Sequence, residues 1–154
     1  MRFYCSDRAT RETKGDPCLV TEWSFIHFLS GFAFSVPILF IFYFVYVKYK
    51  SVQLDRIKLY TFLLFSLLHL IYEVKDVYCT YGKNGKGTEN QIWLCKFGEG
   101  DNTWENSIFD QIISMIGAAI FLFLVTLPPS WWLWLLVVFY VVSMVLFIRN
   151  PEMV

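Results

Sequence analysis

Both histidines of the chain fall in stretches that are otherwise apolar. His27 opens one such stretch, His69 and Glu73 stand four residues apart near the end of a second, and Asp110 lies near the start of a third. Imidazole and carboxylate groups together can share a proton, ligate a divalent metal ion such as zinc, or grip a polar headgroup. A charged group in a membrane span is costly and faces the bundle interior or a watery cavity. Two ionised carboxylates there would repel, so one must be protonated, paired with imidazolium or bound to a cation. His27, His69, Glu73 and Asp110 are therefore the candidate catalytic or ligand-binding residues. The sequence assigns no cofactor; a divalent metal is a candidate that these residue types could hold, though no motif fixes their mutual geometry. An interhelical hydrogen-bond cluster without any ligand is the alternative.

Each candidate belongs to a polar or small-residue stripe with helical spacing. Ser24, His27, Gly31 and Ser35 form the first, Ser66, His69, Glu73 and Asp76 the second, and Asp110, Ser114 and Gly117 the third. Residues three and four apart share a helix face, so each stripe points one way. Gly31 and Gly117 are the helix-packing candidates, because small residues let helices approach closely. At about 1.5 Å per residue, the four ionisable groups fall within roughly 10 Å of one membrane face.

The elements that carry these stripes follow from composition. Of 154 residues, 56% are hydrophobic and 17% charged, with a formal net charge of zero; a soluble domain carries about 25% charged residues. This excludes a disordered chain and a basic nucleic-acid binder. Apolar blocks at residues 25–47, 59–78, 108–127 and 131–148 compare with the roughly 20 residues a spanning helix needs, the last block being just long enough. The sequence predicts an all-α fold, a polytopic membrane protein built as a four-transmembrane-helix bundle. Residues 1–24 form a polar arm, 25–149 the membrane domain, 79–107 a long loop and 150–154 a tail. Pro128-Pro129-Ser130 cannot continue a helix, which predicts an antiparallel hairpin of helices three and four. The fourth helix offers only Ser143 as a polar residue and is expected at the periphery. Membrane lipids are the expected partners, with further copies of the chain or a larger membrane assembly; nucleic acid is not.

With four spans, the arm, the long loop and the tail share one side. Lys48, Lys50, Arg56 and Lys58 crowd the short link against Asp55, which by the positive-inside rule makes that link cytoplasmic. Cys5, Cys18, Cys79 and Cys95 all fall on the opposite side. They are disulfide candidates suited to an oxidising compartment, with reduced thiols the alternative because sequence does not fix connectivity. Spacings of thirteen and sixteen residues are not the close pairs of a zinc site. The expected orientation therefore puts both termini and the long loop on the extracytoplasmic or lumenal side.

Trp23, Trp93 and Trp104 flank one face, and Trp131, Trp132 and Trp134 the other, as interfacial belts do. The Gly82-Lys83-Asn84-Gly85-Lys86-Gly87 run lacks phosphate-loop spacing and reads as a loop tip. Neither a potassium-channel filter nor a Gly-x-Ser-x-Gly elbow occurs.

His27-Phe28-Leu29-Ser30-Gly31-Phe32 resembles the His-Phe-x-x-Gly-Phe of YjdF-type bacterial inner-membrane proteins, relatives of the VanZ-like group. Ile71-Tyr72-Glu73 resembles their Leu-Tyr-Glu, and Gly100-Asp101, Trp104, Asp110 and Ile116-Gly117-Ala118 resemble their Gly-Asp-x-Trp-Asp followed by Asp and Ile-Gly-Ala. The chain departs from that pattern in its longer Asp101–Trp104 spacing, in Glu105 where the family has Asp, and in Asp76 at a Trp-rich exit. The resemblance implies the helical membrane fold and a site on these stripes; VanZ-like members are associated with glycopeptide resistance. His69-Leu70-Ile71-Tyr72-Glu73 also resembles the His-x-x-x-Glu of EXPERA-type sterol-isomerase domains, which implies a pocket for a cationic or sterol ligand with Asp110 as the second acid.

Three functions follow as expectations. The first is a polar His/Glu/Asp pocket near one membrane face that binds or processes a lipid or its headgroup. The second is a structural component of a larger assembly, such as a virion membrane or an energy-converting complex. The third is a channel or transporter, which four helices could form only as an oligomer. No motif in the chain assigns a reaction.

Overall fold

Residues 2–4, 18–20, 22–50, 53–81 and 104–149 are described by a computed structural model, in which four helices follow one another: α1 (Glu22–Tyr49), α2 (Ile57–Tyr81), α3 (Trp104–Leu124) and α4 (Trp134–Arg149). In the arm, β1 (Arg2–Tyr4) pairs in parallel with β2 (Cys18–Val20), Arg2 opposite Cys18 and Tyr4 opposite Val20. The sequence reading had no strands there; the pair is short and lies against α3. The arm's other residues, most of the long loop and the tail lie outside the described residues. So do the disulfide candidates, Cys5 and Cys95 altogether and Cys18 and Cys79 as side chains.

Helix ends follow local chemistry. Lys50 takes a left-handed conformation at φ 50° and its N–H donates to the Tyr46 carbonyl at 2.8 Å, a common way to stop a helix. A 3-10 turn, Leu54–Arg56, then leads into α2. The Lys58 ammonium donates to the Val125 carbonyl, placing a cation at the negative end of α3. That helix ends at Leu124, earlier than the expected 127, because the residue before a proline avoids helical geometry and the chain must straighten ahead of Pro128.

Three helices are long and apolar enough to cross a membrane: Trp23–Tyr49, Leu54–Tyr78 and Trp104–Leu124. The fourth is shorter than its apolar block, since a 3-10 turn takes Trp131–Leu133 and leaves a 16-residue α4. Alone, α4 measures about 24 Å; the turn adds about 6 Å. The expected α3–α4 hairpin packing is corrected: α4 lies chiefly against α1. Phe34 meets Tyr140 and Phe40 meets Trp134 at ring-centroid distances of 5.3 and 5.5 Å. The polar face of α3 is already engaged by α1 and α2, so aromatic contact with α1 is what remains for α4.

Burial is inverted relative to a water-soluble protein. Leu63, Leu67, Leu70, Ile112, Ile116 and Phe123 are exposed, while Ser24, His69, Glu73, Asp110 and Ser114 are buried. In lipid nothing drives apolar side chains inward, whereas polar groups must find partners within the bundle. These are the features of an integral multi-pass membrane protein. Along its axis the bundle divides in two. Val36, Leu39, Ile57, Phe121, Leu122, Val125 and Leu133 pack an apolar half. The other half, toward the start of α1 and α3 and the end of α2, holds the polar stripes.

Candidate functional site

The two packing glycines set the geometry. A Cβ on Gly31 would run into the Ser114 carbonyl and the Ala118 amide, and one on Gly117 into the Phe28 carbonyl. The backbones of α1 and α3 are thus in direct contact just below the stripes, which brings His27 and Asp110 face to face. His69 and Glu73 arrive from α2 on a single face, one turn apart.

All four candidate residues meet. His27 Nδ1 lies 3.3 Å from Glu73 Oε1 and 3.2 Å from His69 Nε2, and His69 Nε2 lies 3.6 Å from Glu73 Oε1. On its other side, His27 Nε2 faces Asp110 Oδ2 at 3.6 Å. His27, His69 and Glu73 therefore form a group of potential metal-ligand atoms all within 4.8 Å of one another. Measured along the helices, the cluster sits roughly 8–12 Å from the ends at Glu22, Tyr81 and Trp104. The His27 side chain keeps 13% of its surface exposed, while Glu73 keeps 2%.

An outer ring holds these groups. The Ser24 hydroxyl donates to Asp110 Oδ1 and the Asn106 amide to Asp110 Oδ2, each at 2.6 Å. Gln111 Nε2 donates to the Ser66 carbonyl at 3.2 Å, which turns Gln111 Oε1 toward His69 Nδ1 at 2.8 Å. With the amide so oriented, the proton of a neutral His69 sits on Nδ1, and Nε2 presents a lone pair to the cluster. Tyr72 stacks near both imidazoles, at 6.4 and 6.2 Å. Asp76, a turn beyond Glu73, pairs with Lys75 at 2.6 Å.

Glu73 stands apart from this order. Both its carboxylate oxygens are buried and accept no hydrogen bond. The Ser107 hydroxyl lies beside it.

Asn106, Ser107 and Gln111 escaped the sequence reading. Asn106 is four residues before Asp110 and so on its face, a signal available in the sequence. Gln111 is one position, or about 100°, off the Asp110 stripe; that offset is what lets it reach α2 rather than α1. An apolar cavity of about 210 Å³ opens between α1 and α4, lined by Phe28, Leu29, Phe32, Leu136, Phe139 and Tyr140.

Comparisons with protein-family models, with curated proteins and with solved structures return no match for this chain.

Proposed function

We propose that this membrane protein binds a lipid through its headgroup at the His27–His69–Glu73–Asp110 cluster, with an acyl chain in the apolar cavity between α1 and α4. The observation that carries the reading is the convergence of His27, His69 and Glu73, whose ligand atoms all lie within 4.8 Å of one another around a carboxylate with both oxygens buried. Two features support it. The cluster lies nearer one end of the bundle, roughly 8–12 Å in from the helix ends, and the cavity lining includes Phe28, which follows His27 in sequence. The arm, the long loop and both termini belong on the extracytoplasmic or lumenal side, with disulfides between arm and loop.

The test is lipid retention. Protein reconstituted in vesicles of phosphatidylcholine, phosphatidylethanolamine and phosphatidylglycerol is extracted, and its bound lipid identified by native mass spectrometry. One headgroup class should be enriched over the vesicle composition, and Glu73→Gln should abolish the enrichment while the helical circular-dichroism signal is unchanged. Retention in proportion to the vesicle composition overturns the reading. Enrichment that survives Glu73→Gln places the lipid elsewhere and leaves the cluster a structural element of a larger assembly.

A further inference from the structure

We infer that His27 Nδ1, His69 Nε2 and a Glu73 oxygen form a zinc-binding site with an open fourth coordination position. The inference rests on the reading of this cluster as a ligand site and names the ion it takes.

Distances come first. The three atoms stand 3.2, 3.3 and 3.6 Å apart. Ligands about 2.0–2.1 Å from a tetrahedral zinc ion are separated by about 3.3 Å. A point equidistant from these three atoms lies about 2.0 Å from each, so an ion at bond length sits slightly out of their plane. Three protein ligands of the His, His, Glu type leave the fourth corner for water or for an oxygen of a bound headgroup.

Proton placement points the same way. Gln111 fixes the His69 proton on Nδ1, so His69 Nε2 turns a lone pair into the cluster and accepts from His27 Nδ1 at 3.2 Å. Asp110 Oδ2, 3.6 Å from His27 Nε2, stands where it takes that ring's proton once Nδ1 binds an ion. Imidazoles whose far nitrogens face an amide oxygen and a carboxylate have the outer-shell partners common to metal-bound histidine. Asp110 is itself held by Ser24 and Asn106.

The acids around the three atoms suit a cation. Asp76 is already paired with Lys75, which leaves Glu73 and Asp110 as the carboxyl groups that flank the two imidazoles. A dication held between the imidazoles and Glu73 sets its charge against both acids in a bundle interior where an uncompensated charge is costly.

The experiment uses the full chain, stripped with chelator in detergent micelles and reloaded with Zn²⁺ or Co²⁺. Expected are one tightly held zinc per chain and a Co²⁺ visible spectrum of tetrahedral intensity without a thiolate charge-transfer band. Glu73→Gln and His69→Ala should lose stoichiometric metal, and Gln111→Ala should weaken binding about 10–100-fold. Wild-type protein that retains no stoichiometric zinc overturns the inference, with no appeal to any variant. A cobalt–thiolate band assigns the ion to the cysteines and overturns it equally, as does wild-type affinity in Glu73→Gln. Headgroup enrichment without metal sinks this inference and leaves the lipid reading standing; metal without enrichment does the reverse.

Discussion

Replacing Glu73 with glutamine preserves shape and removes one negative charge, which makes it the sharpest single change in the molecule. Asp110 offers a contrasting case, because its two oxygens already accept hydrogen bonds from Ser24 and Asn106. Ser24→Ala should therefore cost stability, about 1–3 kcal/mol for a buried charged acceptor that loses a donor, read as a lower unfolding temperature in detergent. An unchanged unfolding temperature would show that water replaces the hydroxyl. Metal affinity should also fall on acidification, since protons compete for the imidazole and carboxylate lone pairs that hold the ion. Affinity independent of pH through the range where imidazole titrates would count against these ligands.

Among the elements, the α1–α3 contact carries the site. Its two glycines meet backbone rather than flexible side chains, so no rotamer change can relieve an added methyl group. Gly31→Ala or Gly117→Ala must push the helices apart, separating His27 from Asp110. The expected penalty is about 1–3 kcal/mol, as for overpacked interiors, together with weaker zinc binding. Ala119→Leu is the control: the position is exposed, and its effect should stay within about 0.5 kcal/mol. Equal effects from all three substitutions would show that the close approach has no special role. Lys58 makes a second, independent tie, closing α3 from the start of α2.

The whole molecule is organised by its solvent. Among the described residues, apolar side chains cover the outside and polar ones line the interior of one half, a pattern suited to a lipid surround. Spin labels at Leu63, Leu67, Ile112 and Ile116 should report a lipid environment, with high accessibility to oxygen and low accessibility to a polar nickel reagent. The reverse pattern would mean these faces meet water. Topology tests α4: with its 3-10 turn it reaches about 30 Å, just the hydrocarbon thickness. Glycosylation reporters at the two termini should both be modified, placing them on the lumenal side. Modification of one terminus alone would make α4 an interfacial helix that does not cross.

The stripes were legible in the sequence because helical periodicity is local: Glu73 follows His69 by four residues, and that spacing alone places them on one face. The four helices and their membrane character were equally readable, since they depend on the length of apolar runs and not on partners. Gly31 and Gly117 could be named as packing positions, but not matched to Phe28 and Ser114, because a contact between helices depends on how each is rotated and shifted against the other. Only the tertiary structure turned α4 onto α1, where the aromatic rings of Phe34 and Phe40 outcompete sequence proximity to α3. It also recruited Gln111, whose off-stripe position becomes useful only once α2 lies beside it. The short distances among His27, His69 and Glu73 arise the same way. Residue types fix which chemistry is available, while the backbone contact at two glycines decides whether the atoms come close enough to perform it.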